Sequence, residues 1–251
     1  MFNPGHLPSF KAVATLALRM NVLIVMSIPR ISHAQERQVV HQYQQWTEYG
    51  AQWKLTDKYS VLFDAGSRLI DNYLKGTFYY TRVGLDRVMS KSVAVHAGFA
   101  HVGYFLRSPR LRQVEHRPYQ EITVTHIRNK WQVQQRLRVE ERVFTPVSAH
   151  AADYNWFNWR FRYMCMVELR AGRFFSFGGG EEIMFNAGRG IVHNHFDQSR
   201  LLMSTSLHTG KSTVLSVIWS NQYQATAVQD RFVHGQVVWA RVWQRLGRRG
   251  I

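Results

Sequence analysis

The residues of this chain whose side chains could best form ion pairs or bind a ligand are arginines and carboxylates that recur at every second position. The run Arg136-Leu137-Arg138-Val139-Glu140-Glu141-Arg142 shows the spacing best. In an extended strand, side chains two positions apart project from the same face. Guanidinium and carboxylate groups on one face form charge-assisted, often bidentate hydrogen bonds, and a surplus of guanidinium groups attracts anions. The spacing therefore predicts a structural network of ion pairs, or a binding site for a small anionic solute.

Charged residues placed opposite an apolar face recur along the whole chain. We predict that they line the interior of a barrel and interlock there as ion pairs, because paired charges satisfy one another inside a protein. We favour this structural role over a ligand site. The predicted interior charges are Glu48, Asp64, Arg68, Arg82, Asp86, Arg136, Arg138, Glu140, Arg142, Arg160, Arg162, Glu182 and Arg200.

Other chemistry has weaker support. His193 and His195 are spaced to share one face of a strand, but Asp197 is the only acid nearby, so we predict no metal site. Three serines follow closely, yet no Gly-x-Ser-x-Gly turn occurs and triads depend on geometry rather than on proximity in sequence. The glycines at 178–180 precede no phosphate-loop lysine. We predict no catalytic residue and no cofactor. The serines are Ser199, Ser204 and Ser206.

The elements that position these residues are predicted from period-two alternation. Trp131–Phe144 and Asn155–Glu168 each separate an apolar face from a polar one. Short turns alternate with longer loops between the segments, as in membrane barrels. Similar alternation marks Trp46–Leu55, Ser60–Arg68, Thr77–Val88, Val93–Phe105, Tyr119–His126, Phe174–Phe185, Gln198–Leu207, Thr213–Tyr223 and Gly235–Trp243.

These segments predict an all-β chain that forms one antiparallel, up-and-down transmembrane barrel. The alternation itself indicates eleven segments. Bacterial barrels usually have an even number of strands, so we expect twelve, with ten as the other possibility and with an extra strand in Arg37–Leu55. Aromatic side chains near segment ends are expected at the two membrane interfaces. They are Trp53, Tyr79, Trp131, Trp159, Tyr163, Trp219, Trp239 and Trp243.

The first 34 residues predict a cleaved signal peptide. Lys11 and Arg19 make a basic start, an apolar stretch follows, and Ser32-His33-Ala34 suits signal peptidase. The barrel domain then covers residues 35–251, including a short basic C-terminal tail that begins at Gln244. After residue 35, no apolar run is long enough for a transmembrane helix. We therefore expect export to the outer membrane.

The composition and charge of the chain limit the kinds of partner that we expect it to bind. The formal net charge is +16, and the first 34 residues hold three of these positive charges. The remaining basic residues are spread singly along strands rather than clustered, which favours a basic interior over a nucleic-acid surface. The single cysteine, Cys165, excludes an intramolecular disulfide framework. We expect outer-membrane lipids and, during insertion, the barrel-assembly machinery as partners, with no nucleic acid.

Several short motifs recur in a fixed order along the chain. They are Trp46, Arg68, Glu115-His116-Arg117 before Gln120, the run 136–142, Arg160-Phe161-Arg162-Tyr163, Glu181-Glu182 and Phe196-x-Gln198-x-Arg200. In their order and spacing, these motifs resemble an uncharacterised bacterial family, domain of unknown function 2490. The resemblance extends from about Gln45 to Leu246 and implies an outer-membrane β-barrel without an agreed activity or cofactor.

Two alternatives to an outer-membrane barrel of unknown activity stay open. They are a soluble lipocalin-like barrel and an outer-membrane lipid-modifying enzyme.

Overall fold

Eleven β-strands make up the regular structure of the part of the chain that the structure describes. A computed structural model describes residues 37–70, 75–105, 110–147, 156–191, 195–210, 212–226 and 228–247. The strands are β1 (Gln38–Lys54), β2 (Tyr59–Ile70), β3 (Lys75–Val88), β4 (Val93–Tyr104), β5 (Gln113–Arg128), β6 (Trp131–Pro146), β7 (Trp156–Ala171), β8 (Phe175–Ala187), β9 (Phe196–Thr209), β10 (Thr213–Ala225) and β11 (Arg231–Leu246).

The strands close into a single barrel in chain order. Each strand pairs antiparallel with the next, and β1 pairs with β11 in parallel, from Gln38 opposite Arg231 to Trp53 opposite Leu246. After ten reversals of direction the eleventh strand runs the same way as the first, so the closing pair of an odd-numbered meander must be parallel. Parallel pairing is only slightly weaker per residue than antiparallel pairing.

The prediction of an all-β closed barrel is confirmed, and the described residues form eleven strands where about twelve were expected. The segment Arg37–Leu55, expected to hold an extra strand, contains one 17-residue strand, β1. The eleven segments read from the alternation correspond one to one with the eleven strands. The expectation of twelve strands follows the general rule that bacterial barrels have an even number of strands, whereas the alternation of this chain indicates eleven segments.

The connections sort the barrel into two ends. Turns of two to four residues join β1 to β2, β3 to β4, β5 to β6, β7 to β8 and β9 to β10, and we call this the turn end. The other connections and the start of β1 lie at the opposite, loop end. Asn129 at the tight turn between β5 and β6 has a φ of 55°, a left-handed conformation that asparagine tolerates.

The interior of the barrel is mostly polar and the outer face is mostly apolar. Among the described residues, buried polar residues, Glu115 and Glu140 among them, outnumber buried apolar ones. The one packed cluster of buried apolar side chains, Val133 and Cys165 with Tyr163, lies on outward positions of β6 and β7. Ion pairs and hydrogen bonds therefore occupy the place that an apolar core takes in most soluble domains.

Two sequence predictions about the aromatics and the tail need correction. Trp239 and Trp243 lie on the interior face of β11, where Trp239 contacts Trp46 with ring centroids 5.5 Å apart and Trp243 covers Gly50. The register with β10 and β1 sets this face. Residues 244–246 belong to β11 rather than to a tail.

The predicted signal peptide, residues 1–34, lies outside the described residues, as do the final residues 248–251. Within the described part of the chain, no helix has both the length and the apolar character needed to span a membrane.

Candidate functional site

The charged interior contains most of the ion pairs among the described residues. Alternation on β6 sends Arg138 and Arg142 inward, where each is less than one-tenth exposed. Leu137, between the inward arginines of the same strand, points outward and is 50% exposed. The antiparallel register then brings inward positions of β5 and β7 beside those of β6. Charges distant in sequence thus meet across neighbouring strands.

Glu140 occupies the centre of this region and is fully buried. Arg160 Nε donates to its Oε2 at 2.6 Å, and Arg162 Nη1 donates to its Oε1 at 2.8 Å. Arg117 and Arg138 approach the same carboxylate at 3.5 and 3.6 Å. A single carboxylate therefore balances parts of four guanidinium groups.

Glu182 on β8 extends the network toward β9. Its Oε1 accepts from Arg136 Nη2 at 2.6 Å and from Arg162 Nη2 at 2.6 Å, while Arg200 Nη1 donates to its Oε2 at 3.2 Å. Because Arg162 also reaches Glu140, the two carboxylates share one guanidinium. Through its side chain, the shared arginine on β7 links Glu140 on β6 to Glu182 on β8.

Glu115 forms a third centre near the loop end. Arg117 Nε and Arg142 Nε donate to its Oε1 at 2.6 and 2.8 Å, and both arginines also reach Oε2 through Nη2. The Tyr104 hydroxyl donates to the same carboxylate at 2.6 Å. Two bidentate guanidinium pairs and one hydroxyl satisfy this buried acid.

A separate group of charges lies on the β1–β3 wall. Arg82 Nε donates to Asp64 at 2.6 Å, and Arg241 Nε lies 2.9 Å from Glu48 Oε1. The Tyr80 hydroxyl donates to Glu48. Arg82 also lies 3.8 Å from Glu48, which joins the two acids through one guanidinium. Because β1 pairs with both β2 and β11, this group bridges the closing seam of the barrel.

Close contacts between glycines and aromatic rings position part of this wall. Tyr80 lies over Gly66 on the neighbouring strand, and Tyr119 lies over Gly98 in the same way. A Cβ atom at Gly66 would lie 2.5 Å from the Thr47 carbonyl oxygen and 2.8 Å from the Tyr80 ring, both too close for a normal contact. Glycine therefore suits this position, where backbone and ring approach closely.

The thirteen predicted interior charges all lie on interior positions, but not all of them form ion pairs. Two differ from the predicted interlocking. The cross-strand neighbours of Arg68 are Trp46 and Phe78, and those of Asp86 are Ser60 and His96, so neither has a charged partner of opposite sign beside it. The residues in ion pairs are Glu48, Asp64, Arg82, Arg136, Arg138, Glu140, Arg142, Arg160, Arg162, Glu182 and Arg200.

Sequence reasoning left out several members of the network on β5. Glu115, Arg117 and Glu121 alternate with apolar or neutral residues, and Glu121 pairs with Arg138 at 2.6 Å. The predicted segment begins at Tyr119, whereas β5 begins at Gln113, so the first two charges lie outside the predicted segment. Extending the alternation backwards from Tyr119 by two inward positions finds both of them.

Asp197 and Arg241 were missed for different reasons. Arg241 follows Trp239 on what reads as an aromatic, lipid-facing stripe, and only the register of β11 shows that the stripe faces inward. Asp197 lies at a register shift between β8 and β9, which allows it to reach Arg160 at 3.3 Å although its parity suggests the outer face. A bulge of this kind leaves little signal in sequence.

In the described part of the chain, His195 and Asp197 contact other strands rather than the nearby serines. His195 Nδ1 lies 3.2 Å from the Asn186 carbonyl, while Asp197 contacts Arg160. Among the described residues, no three potential ligands are grouped to hold a metal ion, and His193 lies outside those residues. Ser176 and His208 hydrogen bond at 2.9 Å, but Ser176 is buried. This arrangement fits a structural hydrogen bond.

Fold and site together define the class of protein: a closed, all-β barrel with an ion-paired interior and an apolar outer face. A family model described as a protein of unknown function, DUF2490, matches residues 43–233. This match covers more than half of the chain, so the chain belongs to the DUF2490 family. No curated protein matches it.

Proposed function

We propose that this protein is an integral outer-membrane β-barrel whose interior is narrowed by arginine–carboxylate networks. The observation that carries the proposal is the polarity of the wall. Phe161 on the outer face is 42% exposed, whereas Arg162, its neighbour in sequence, is 8% exposed. An apolar outer face of this extent is unfavourable in water and is expected where lipid tails replace water.

The outer apolar face continues around the barrel. Exposed outward residues include large aliphatic or aromatic side chains on ten or more strands, so the face is a belt rather than a patch. A soluble lipocalin-like barrel would need the reverse polarity, with apolar side chains inside around the ligand. Representative members of the belt are Phe63, Val83, Phe99, Ile122, Leu137, Phe161, Phe177, Met203, Val217 and Val238.

Strand length and aromatic placement also support a membrane location. The strands contain 12 to 17 residues, and a tilted strand needs about 9 to 11 residues to cross the hydrocarbon layer. Trp53, Trp131, Trp159 and Trp219 are exposed on the outer face, and exposed tryptophan is favoured at membrane interfaces. Closure of the sheet leaves no open edge, which hydrocarbon would not tolerate.

Cell fractionation tests the location directly. We expect the exported chain in the outer-membrane fraction, resistant to extraction by alkaline carbonate and released by detergent. Recovery of the chain in the soluble periplasm would reject the proposal. In purified protein, a dye attached to cysteine at position 137 or 161, with Cys165 replaced by alanine, should be quenched by nitroxide-labelled lipid tails. The matched dye at position 138 or 160 should not be quenched.

A role for anionic solutes is the second candidate, and the balance of interior charge favours it. Nine arginines and seven carboxylates form the interior ion pairs of the described residues. The resulting positive surplus would attract small anions and repel cations. Recording from single molecules in a planar bilayer tests this role. A conduit predicts anion-selective current, and a closed barrel predicts none.

A further inference from the structure

One interior arginine stands apart from the ion-pair networks. Arg68 on β2 stacks on Trp46, with its guanidinium carbon 3.4 Å from the ring centroid, and it also lies 4.2 Å from the Phe78 centroid. No ion pair joins it to a carboxylate among the described residues. Its Nε is buried and has no hydrogen-bond partner within the described residues. A buried positive charge needs compensation, and aromatic faces offer only part of it.

A second guanidinium points to the same place. Arg200 lies with its guanidinium carbon 5.2 Å from the centroid of Trp46, and its Nε is also buried without a partner. Its terminal nitrogens donate to Glu182 and to Gln198. Two positively charged groups therefore share one indole ring, and each has an Nε without a partner among the described residues.

Neutral hydrogen-bonding side chains surround this pair of arginines. The Trp46 indole N–H donates to Gln44, and Gln198 donates to Gln222. Glutamine amides can donate to an anion without competing with it, whereas carboxylates would repel it. Of the interior acids, Glu182 contacts Arg200 at 3.2 Å, whereas Glu115 and Glu140 contact other arginines.

We propose that Arg68, Trp46 and Arg200 form a binding site for a small oxyanion, a phosphate or carboxylate group, inside the loop-end half of the barrel. The Trp46 and Phe78 rings lie against the faces of the Arg68 guanidinium, so its N–H groups point along the guanidinium plane and away from the rings. A planar fork of N–H donors matches two oxygens of such a group. This site deepens the second candidate function and rests on it, because it supplies a specific contact for an anionic solute.

Titration of the purified full-length exported chain in nonionic detergent with sodium phosphate tests the site. Sodium chloride at equal ionic strength is the reference, and binding is followed by calorimetry and by the thermal unfolding midpoint. We expect saturable phosphate binding and a phosphate-dependent rise in that midpoint. Arg68→Gln should weaken binding about tenfold or more, because a charged bidentate contact is lost.

Arg87→Gln is the matched control. Arg87 also stacks on an aromatic ring, that of Tyr59 at 5.6 Å, but it is exposed on the outer face. Its replacement should leave phosphate binding unchanged. Arg68→Lys keeps the charge without the fork and should also weaken binding, which supplies a second test should the glutamine variant not assemble. Absence of saturable binding to the native chain, or equal binding by the Arg68 and Arg87 variants, would overturn the site.

A further arm of the experiment distinguishes two sources of the phosphate group, a lipid headgroup and a free solute. Short-chain phosphatidylglycerol, compared with phosphatidylcholine, tests a lipid headgroup, and inorganic phosphate tests a free solute. Arg68-dependent binding in either arm supports the oxyanion site and identifies its source. Location is measured separately. Recovery of the chain in the soluble periplasm together with Arg68-dependent binding would reject the membrane proposal and keep the site.

Discussion

Two regions of the barrel interior use the same residue type in opposite ways. Around Glu140, one carboxylate is shared by four arginines. Around Trp46, Arg68 is stacked between aromatic rings, and no carboxylate of the described residues forms an ion pair with it. The difference shows that alternation determines whether an arginine points inward, while the residues on the two adjacent strands determine how its charge is satisfied.

The largest expected effect comes from removing the central acid of the paired region. Glu140→Gln leaves Arg160 and Arg162 without their shared carboxylate, and loss of one partner from a buried ion pair costs about 3–5 kcal/mol. We expect a corresponding fall in the free energy of unfolding, measured by urea titration of refolded protein in lipid vesicles. Glu141→Gln is the control, because Glu141 faces outward on the same strand. Equal losses for both variants would contradict the network.

Removing one arginine from the same region should have a smaller effect. Arg160→Leu breaks contacts with Glu140 and Asp197, but Arg162 still neutralises Glu140. We expect a loss of about 2–3 kcal/mol in the free energy of unfolding. The outer face is unchanged, so the same fractionation behaviour is expected. A stable variant equal to the native chain would show that the ion pair contributes nothing.

Arg68→Gln sharpens the comparison because it removes a charge that has no acidic partner. Without phosphate, we expect a change within about 1 kcal/mol, since the lost stacking on Trp46 is offset by the relief of burying a charge. The same urea titration measures it. A loss as large as that of Arg160→Leu would mean that the aromatic rings satisfy Arg68 as fully as carboxylates satisfy Arg160.

The smallest effect is expected at the turn end, outside the barrel wall. Lys54 donates a hydrogen bond to Asp57 at 2.6 Å, and this bond together with the positive charge lowers the pKa of Asp57. Because the carboxyl pKa is lower in the folded than in the unfolded state, the interaction stabilises the folded state at pH values above the ordinary carboxyl pKa. That contribution is lost as the pH falls through the folded pKa. Both groups are exposed, so Asp57→Asn should leave the unfolding midpoint at pH 7 nearly unchanged. A large shift there would show that the turn is coupled to the interior.

Much of the fold could be predicted because alternation is a local property. The segment Trp131–Phe144 lies within β6, and the inward positions of its arginines follow from parity alone. The strand number could have been read in the same way. The closing arrangement could not, because the parallel pairing of β1 with β11 joins residues nearly 200 positions apart and leaves no local pattern.

The candidate site was only partly predictable. Sequence placed Arg68 inside, but its stacking depends on a register that sets Trp46 and Phe78 on either side of it. Asp197 shows a second limit, because a register shift reverses the face that its parity suggests. Pairing partners are a property of two or three strands together, and no single segment encodes them.

By itself, the amino-acid sequence determined that this chain forms strands with one apolar and one charged face, because side chains in an extended backbone alternate sides. The tertiary structure alone decided that eleven strands close through a parallel pair, that Trp239 and Trp243 face inward, and that Arg68 meets rings instead of acids. Those outcomes depend on inter-strand register, which sets the neighbours of every inward side chain.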